Sequence, residues 1–587
     1  MGQGYAGHLR EPSAAEADGA RELRPTSQGL AALGIYLAVW LPTAMRPLVA
    51  HIGRSQLDQS SPDPNFYLWS LRWWPFAIGH GLNPLYSAQL DAPAGHALAW
   101  TATVPALSLL VAPLTLTAGP VVAFNLLAIV AVPVCAWAAF VLCRRLTGRF
   151  WPALAAGAVF GCSAYETNHY GSGQMNLTYT LLLPILAYLM LLWRDKAISS
   201  RTFVILAAMT LAIQFYISLE IFADITAFGV ISLGLGWALA GRAHRAELVS
   251  LARLTAVAYA IAVVLAAPYI RYALATAPPK SPAIVSLDLA SLVIPRAGRT
   301  FGIPWLAGAA AGPHPVSNGG YVGIPLLVLA VLLAVTAWSS RLVRFLSAML
   351  VLIVLASVGP ELYLEGRPVA RLPWAALYQL PIVRNAYATR LMLFAYLALA
   401  VAVALWLAGT GVGSSAKRTA WGRYVLALLA IGVVVVDTPA IVVTPNSTVP
   451  AFISTGEYRH DLSSGEIVVV VSNIRNAGML WQAQSDFYLR IAGGFLNEGF
   501  SHRTDLPVPV QRLVRPTPAS VASFETFVRS DHVGAILLDA RYRPRWAGIF
   551  SKVGLVGHAI GNVIVYPTDG CKACRAVARQ HVLRSSA

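Results

Sequence analysis

Asp63 stands between Pro62 and Pro64 in the stretch Ser60–Ser87, SSPDPNFYLWSLRWWPFAIGHGLNPLYS, and an aromatic run follows it directly. Proline fixes its own φ and restricts the residue before it, so the flanking pair limits the backbone freedom of the acid. Tryptophan and tyrosine collect at membrane–water boundaries, so FYLWSLRWWPFAI reads as an interfacial helix that pins Asp63 at headgroup depth. A carboxylate held there can take a proton from a hydroxyl nucleophile. The competing use of the same residue is structural, as the N-cap of the aromatic helix.

Other ionisable groups near the membrane are few, and each is costly there, so each is a site hypothesis. Glu166 and His169 in SAYETNHYGSGQMN are three apart and share one helical face. That pair suits recognition of hydroxyl groups or ligation of a metal, and plain hydrogen bonding to backbone is the alternative. Glu220 and Asp224 in FYISLEIFAD lie one helical turn apart, with Arg271 as a candidate partner. Anionic leaving groups need cations. Arg271, Lys280, Arg296 and Arg299 come from one polar insertion and its border, and Arg384 and Arg390 in LPIVRNAYATRLMLF from another. The planar guanidinium fork matches phosphate oxygens, although most arginines at such depth simply snorkel to headgroups.

The elements that must position these residues are membrane helices. The chain has 587 residues, 57% hydrophobic and 12% charged, about half the charge of an ordinary soluble protein. Apolar runs long enough to approach the bilayer thickness recur along most of it. They fall at about 29–50, 101–118, 121–142, 151–165, 177–193, 203–218, 221–240, 251–273, 321–338, 342–358, 391–408 and 424–436. The net charge of +17 sits in short loops between these runs, which excludes a nucleic-acid-binding reading and orients the protein instead. Five basic loops, CRRLTGR, WRDKAISSR, GRAHRAEL, SSRLVR and SSAKRTAWGR, are separated by even numbers of spans and so share the cytoplasmic side. The 101–118 run holds Pro105 and Pro113, which disrupt a helix interior. It reads as a helix lying on the outer face. The expectation is therefore a polytopic α-helical protein of the cell membrane with about eleven spans. Residues 1–28 form a cytoplasmic polar tail, 29–439 the membrane domain, and 51–119 one large first external loop.

Beyond Val436 the pattern changes. EIVVVVSN, HVGAILLD and NVIVYPTD read as strands and SVASFETFVRS as an amphipathic helix, so 440–587 is expected to be an external α/β domain. CKAC, Cys571–Cys574, lies in its tail and lacks the strand–helix context of a redox motif.

One span, a large external loop with an early acid and interfacial helices, many further spans and an external domain: this order resembles the GT-C superfamily of integral membrane glycosyltransferases. The segments DPNFYLWSLRWWPFAIGHGLNPLY, DAPAGHALAW and VVAFNLLAI resemble an uncharacterised bacterial multi-pass subgroup with this layout. The resemblance implies a sugar taken from a polyprenyl-phosphate carrier on the external face and passed, with inversion, to a glycan, lipid or protein acceptor. It implies Asp63 as general base, with Asp58 or Asp91 as a second acid of the loop. Glu166, His169, Arg271, Arg384 and Arg390 are the candidate substrate contacts. Some relatives need a divalent metal and others none; this sequence has no dense acidic cluster, and no cofactor is assigned. Two other classes compete. A flippase for lipid-linked sugars would carry inverted repeats with broken helices, and no repeat is visible. A non-catalytic envelope-assembly protein would tolerate loss of Asp63.

Overall fold

A computed structural model describes residues 25–57, 61–276, 286–294, 318–377, 387–409, 417–436, 443–444, 449–494 and 506–568. Asp58, Lys280, Arg296, Arg299, Arg384 and the Cys571–Cys574 pair lie outside them. Each of the eleven runs read as spans contains a helix. Those used below are α1 (Pro25–Ala44), α5 (Pro120–Thr147), α6 (Phe150–Gly161), α8 (Leu182–Arg194), α9 (Ser200–Ile217), α10 (Leu219–Leu239), α11 (Arg242–Ala275), α14 (Met392–Ala408) and α15 (Lys417–Val436). Six helical segments among the described residues are long and apolar enough to cross a bilayer: 120–147, 175–194, 200–217, 219–239, 242–275 and 388–408. The 101–118 run instead breaks at Val111 into two short helices, α3 (Pro105–Leu110) and α4 (Ala112–Ala118). At about 1.5 Å per residue neither can span.

Lipid offers no hydrophobic drive between helices, so close packing of small residues holds them together. Gly157 and Gly161 on α6 form such a face against α5. A Cβ at Gly161 would fall 2.6 Å from the Cβ of Ala136, and one at Gly157 would fall 2.5 Å from the Ala136 carbonyl oxygen. Tyr36 of α1 caps this contact, its hydroxyl donating to the Leu154 carbonyl at 2.7 Å.

The aromatic segment is helix α2 (Asp63–Gly79). Phe66, Tyr67, Trp69, Trp73 and Trp74 are all buried; their rings cover about half of the helix circumference, and buried Leu68 and Leu71 on the other half leave it little polar face. It is therefore covered on both sides, by α5 and the short helices α3 and α4 beneath and by the C-terminal helix α16 (Ala477–Gln484) above.

The C-terminal part is built on a five-stranded sheet of β3 (Ile467–Val471), β4 (Arg490–Ile491), β5 (Val533–Asp539), β6 (His558–Ile560) and β7 (Val563–Pro567), in the order β6-β7-β5-β3-β4. β3 pairs parallel with β4 and β5, while β5–β7 and β7–β6 are antiparallel. The runs around Val469, Ile536 and Val565 are the central strands, and SVASFETFVRS lies in α17 (Pro518–Ser530). Side chains of a strand alternate between faces. Val468, Ala535, Leu537, Val563 and Val565 join the core that contains Trp69 and Trp73. Val469, Ile536, Leu538 and Ile564 join a second core with Phe524 and Phe550. One face of the sheet thus packs toward the Asp63 helix and the other toward its own helices. A short ladder, β1 (Gln56–Leu57) antiparallel to β2 (Val443–Thr444), ties the first loop to the chain leaving the last membrane helix.

Candidate active site

Asp63 is the first residue of α2, where the helix dipole favours a negative charge. It does not cap the helix: Pro62 occupies the N-cap and no side chain takes that role. Its carboxylate is held from outside the helix. Gln174 Nε2 donates to Oδ2 at 2.9 Å, and Ser61 Oγ donates to the same oxygen at 3.3 Å. The Gln174 carbonyl oxygen in turn meets His169 Nδ1 at 2.6 Å. Because Gln174 spends its N–H on the acid, its oxygen must accept, so His169 carries its proton on Nδ1. Nε2 is left as a lone-pair acceptor, buried and without a partner.

The backbone fixes this relay. Gly173 has a φ of +69° and lies so close to α2 that a Cβ would fall 2.6 Å from Pro64 Cγ, a place and a conformation that only glycine fills. From it the chain turns sharply out of helix α7 (Ala164–Gly171) and aims Gln174 at the neighbour of Pro64. Tyr67 on α2 donates to Asn176 in the next turn, so α2 and the 174–176 segment are joined at two points.

Burial raises the Asp63 carboxyl above its ordinary value, opposed by the hydrogen bonds from Gln174 and Ser61 and by the charges of Arg390 and Arg475. Part of its surface stays open, yet the carboxyl itself is densely enclosed. A carboxylate with a raised pKa is a better proton acceptor than a free one. His169 is lowered to about 3, by burial first and then by Arg390, so it is neutral. Glu166 is fully buried in another direction, accepting from the Thr180 hydroxyl, and burial raises its pKa well above the usual carboxylate range. Its bond to Thr180 ties α7 to the segment that follows it.

Arg390 opens the 388–408 span and is partly exposed. It pairs with Glu220 at the start of α10 and lies over the Tyr387 ring at 4.2 Å. Its charge reaches Asp63, Tyr67, Tyr165 and His169. Glu220 therefore takes Arg390, not Arg271, as its partner; Arg271 is exposed on α11. Asp91 pairs with His96 at 2.9 Å inside a tight loop, and its amide donates to the Gly493 carbonyl at 3.0 Å. Asp288 accepts from the Ala290, Glu365 and Gly366 amides. Both acids have structural uses. Around Asp63 and Arg390, five buried polar atoms have no partner: Tyr165 Oη, Glu166 Oε2, His169 Nε2, Glu220 Oε1 and Thr389 Oγ1. Buried polar groups are nearly always satisfied, so these atoms are candidates for contacts with water or substrate.

Two of the residues that complete this site were not singled out in the sequence. Gln174 stands in the quoted run HYGSGQMN, where a glycine before an uncharged amide beside two apolar helices was the available signal. Arg475, 412 positions from Asp63, had none. The C-terminal loop reaches the acid directly: Asn476 Nδ2 donates to the Pro62 carbonyl at 2.9 Å, and Asn65 Nδ2 to the Arg475 carbonyl at 2.6 Å.

Among the described residues no three His, Cys, Asp or Glu side chains gather as a metal site would require. Glu166 and His169 turn to different partners, so these two do not form a pair of metal ligands among the described residues.

The fold has known counterparts. The arabinofuranosyltransferase AftD from Mycobacteria superposes with a TM-score of 0.56 at 16% identity, over 93% of this chain and 40% of that one. The oligosaccharyltransferase of Archaeoglobus fulgidus, solved tethered to an acceptor peptide, gives 0.50 at 12% identity, over 92% and 74%. The chain thus spans two fifths of the length of AftD. No curated protein sequence matches. The structural neighbours are GT-C glycosyltransferases, and at these identities the likeness is one of fold. A family model described as "Domain of unknown function (DUF6311)" matches residues 33–384, more than half of the chain. By that match, the protein belongs to the DUF6311 family.

Proposed function

We propose that this protein is a GT-C-type membrane glycosyltransferase that moves a sugar from a polyprenyl-phosphate carrier to an acceptor hydroxyl on the external face, with inversion. In this reading the chain crosses the membrane eleven times with its N-terminus inside, and residues 440–587 form an external domain. The observation that carries the reading is the Asp63 carboxylate, oriented by Gln174 and faced by Arg390, on a fold shared with two sugar transferases.

Asp63 takes the proton from the acceptor hydroxyl as its oxygen attacks the anomeric carbon. Arg390, steadied by Glu220, binds the departing phosphate, where preorganised cations lower the barrier most. Neutral His169 accepts a hydrogen bond from a sugar hydroxyl through Nε2. The carrier cannot leave the bilayer, so the base and the cation sit at its edge. Polyprenyl phosphate is a good leaving group, and positioning with proton removal suffices; no step runs through a metal.

The test is Asp63→Asn, assayed for transfer from radiolabelled polyprenyl-phosphate sugars in reconstituted vesicles. General-base loss lowers the rate about 10²- to 10⁴-fold. Full activity in a normally expressed variant would sink the assignment.

A further inference from the structure

Two of the five basic loops, GRAHRAEL and SSRLVR, meet in space. α10 turns through Gly241 into α11, and α12 (Ile324–Thr336) turns through Ser339 and Ser340 into α13 (Arg341–Ser357). α10 packs against α13, with Ser232 Oγ 3.8 Å from Met349 Sδ. That packing joins the two turns. Arg341 Nη1 lies 3.4 Å from His244 Nδ1, and Nη2 lies so close to Gly241 that a Cβ there would fall 3.0 Å away. Residues 200–276 and 318–377 are described without a break, so both turns are complete.

The corner they form is rich in positive charge. Arg242 and Arg245 open α11, and Arg341 and Arg344 open α13. Cations gathered in this way repel one another. None of the four makes an ion pair among the described residues, not even with Glu247, the one acid of the two loops. Arginines that merely snorkel keep their polar heads in water. Here the Arg245 and Arg344 side chains are half-buried, and the Nε of each is shut off from solvent with no acceptor among the described residues. Arg245 also lies over the Trp237 ring at 4.2 Å, which holds its planar fork in place.

The surroundings favour a lipid over a dissolved anion. Each turn carries an exposed tryptophan, Trp237 and Trp338, the ring that collects at headgroup depth. α10 and α11 bury little of their apolar surface, and Val335 and Leu342 are exposed beside the second turn, so acyl chains have a surface to lie on. A zwitterionic headgroup would bring its own cation into a corner that already has a surplus of them; an anionic one would not.

We propose that the corner between the α10–α11 and α12–α13 turns binds the phosphate of an anionic phospholipid, held by Arg245 and Arg344 with Arg341 at the rim. The guanidinium fork matches phosphate oxygens, and basic pockets between membrane helices hold anionic headgroups in this way. Along α10 the corner lies about 30 Å from Glu220, at 1.5 Å per residue. The site is therefore separate from the one around Asp63, and it needs only that these helices lie in a bilayer.

The experiment is lipid binding to the full-length protein in a non-ionic detergent, read by native mass spectrometry. The probes are dioleoyl phosphatidylglycerol, dioleoyl phosphatidylcholine and inorganic phosphate. The first phosphatidylglycerol should bind at least about tenfold more tightly than phosphatidylcholine, and excess inorganic phosphate should not displace it. Arg245→Gln and Arg344→Gln should each weaken it roughly ten- to hundredfold, as loss of a hydrogen bond to a charged group does. Arg341→Gln, at an exposed position, should weaken it about fivefold with little change in Tm, which keeps the test decisive should a half-buried variant misfold. Arg149→Gln, an exposed arginine of another basic loop, should leave it unchanged. Equal affinity for the two lipids, or an equal loss in Arg149→Gln and Arg344→Gln, overturns the proposal. Displacement by inorganic phosphate overturns it too, in favour of a soluble anion.

Discussion

Gln174→Met replaces the amide that holds Asp63 by an apolar chain of similar length. Two hydrogen bonds go: the donor at 2.9 Å from the Asp63 carboxylate and the acceptor at 2.6 Å from His169 Nδ1. A hydrogen bond to an ionised group is worth about 1.5–3 kcal/mol. One pH unit corresponds to about 1.4 kcal/mol, so the Asp63 carboxyl, already raised by burial, should rise by roughly one to two further units. A base must be deprotonated to act. The acid limb of the kcat/KM profile for transfer should therefore move to higher pH by that amount, with most of the rate regained on the alkaline side. Orphaning the His169 N–H should also lower stability by about 1–3 kcal/mol. Adding Asp63→Asn to Gln174→Met should abolish the shifted limb. An acid limb that stays in place while the rate falls uniformly would refute the relay and leave Gln174 a packing residue.

Asp63→Asn should raise Tm near neutral pH while removing transfer. The folded-state pKa lies above the ordinary 3.8, so the native state binds the proton more tightly than the unfolded chain, and stability is lost as pH rises through that window; a lower Tm for the variant contradicts this. Gly173→Ala must place a Cβ 2.6 Å from Pro64 at a left-handed φ, costing about 1–3 kcal/mol and shifting α2, with kcat falling further than Tm accounts for. Gln482→Leu, which removes bonds to Trp69, Gln89 and Leu489, should cost about 2–4 kcal/mol. Asp486→Ala, breaking an exposed pair with Arg72, should cost under about 1 kcal/mol, so equal melting curves for the two would reject the docking network. Leu110→Cys should label from the external side; labelling from the cytoplasm alone would overturn the topology.

What could be read from sequence followed how local each cause is. Helices over the apolar runs, the break near Pro113 and the strands around Val469, Ile536 and Val565 depend on short-range pattern and proline chemistry. Asp63 was visible because two prolines and an aromatic run mark it within ten residues. Its partners depend on tertiary contact. The sequence offered Arg271 to Glu220, since both close on external ends of spans; the packing of α10 against neighbouring spans brings Arg390 there instead. Glu166 and His169 share a face by spacing, yet Thr180 draws one and Gln174 the other. Asp58 and Arg384 lie outside the described residues; the first stays a candidate by resemblance and the second by its charge.

No catalytic motif marks the C-terminal sheet in the sequence. Its alternating residues argue for a different part. Val468, Leu537 and Val565 pack into the core that holds Trp69 and Trp73, while Gln482 joins Trp69 to the Gln89 backbone. A helix at a bilayer edge has lipid on one side and water on the other, and neither fixes its rotation to the fraction of an ångström that proton transfer needs. A lid packed on the aromatic face does. The α2 helix is buried nearly all round because it is a core element between the membrane helices and the sheet, and Asp63 is held at the seam. In the proposed reaction the acid would meet a carrier confined to the membrane and an acceptor from the other side, and the seam between the apolar helices and the C-terminal sheet is where those two approaches would cross.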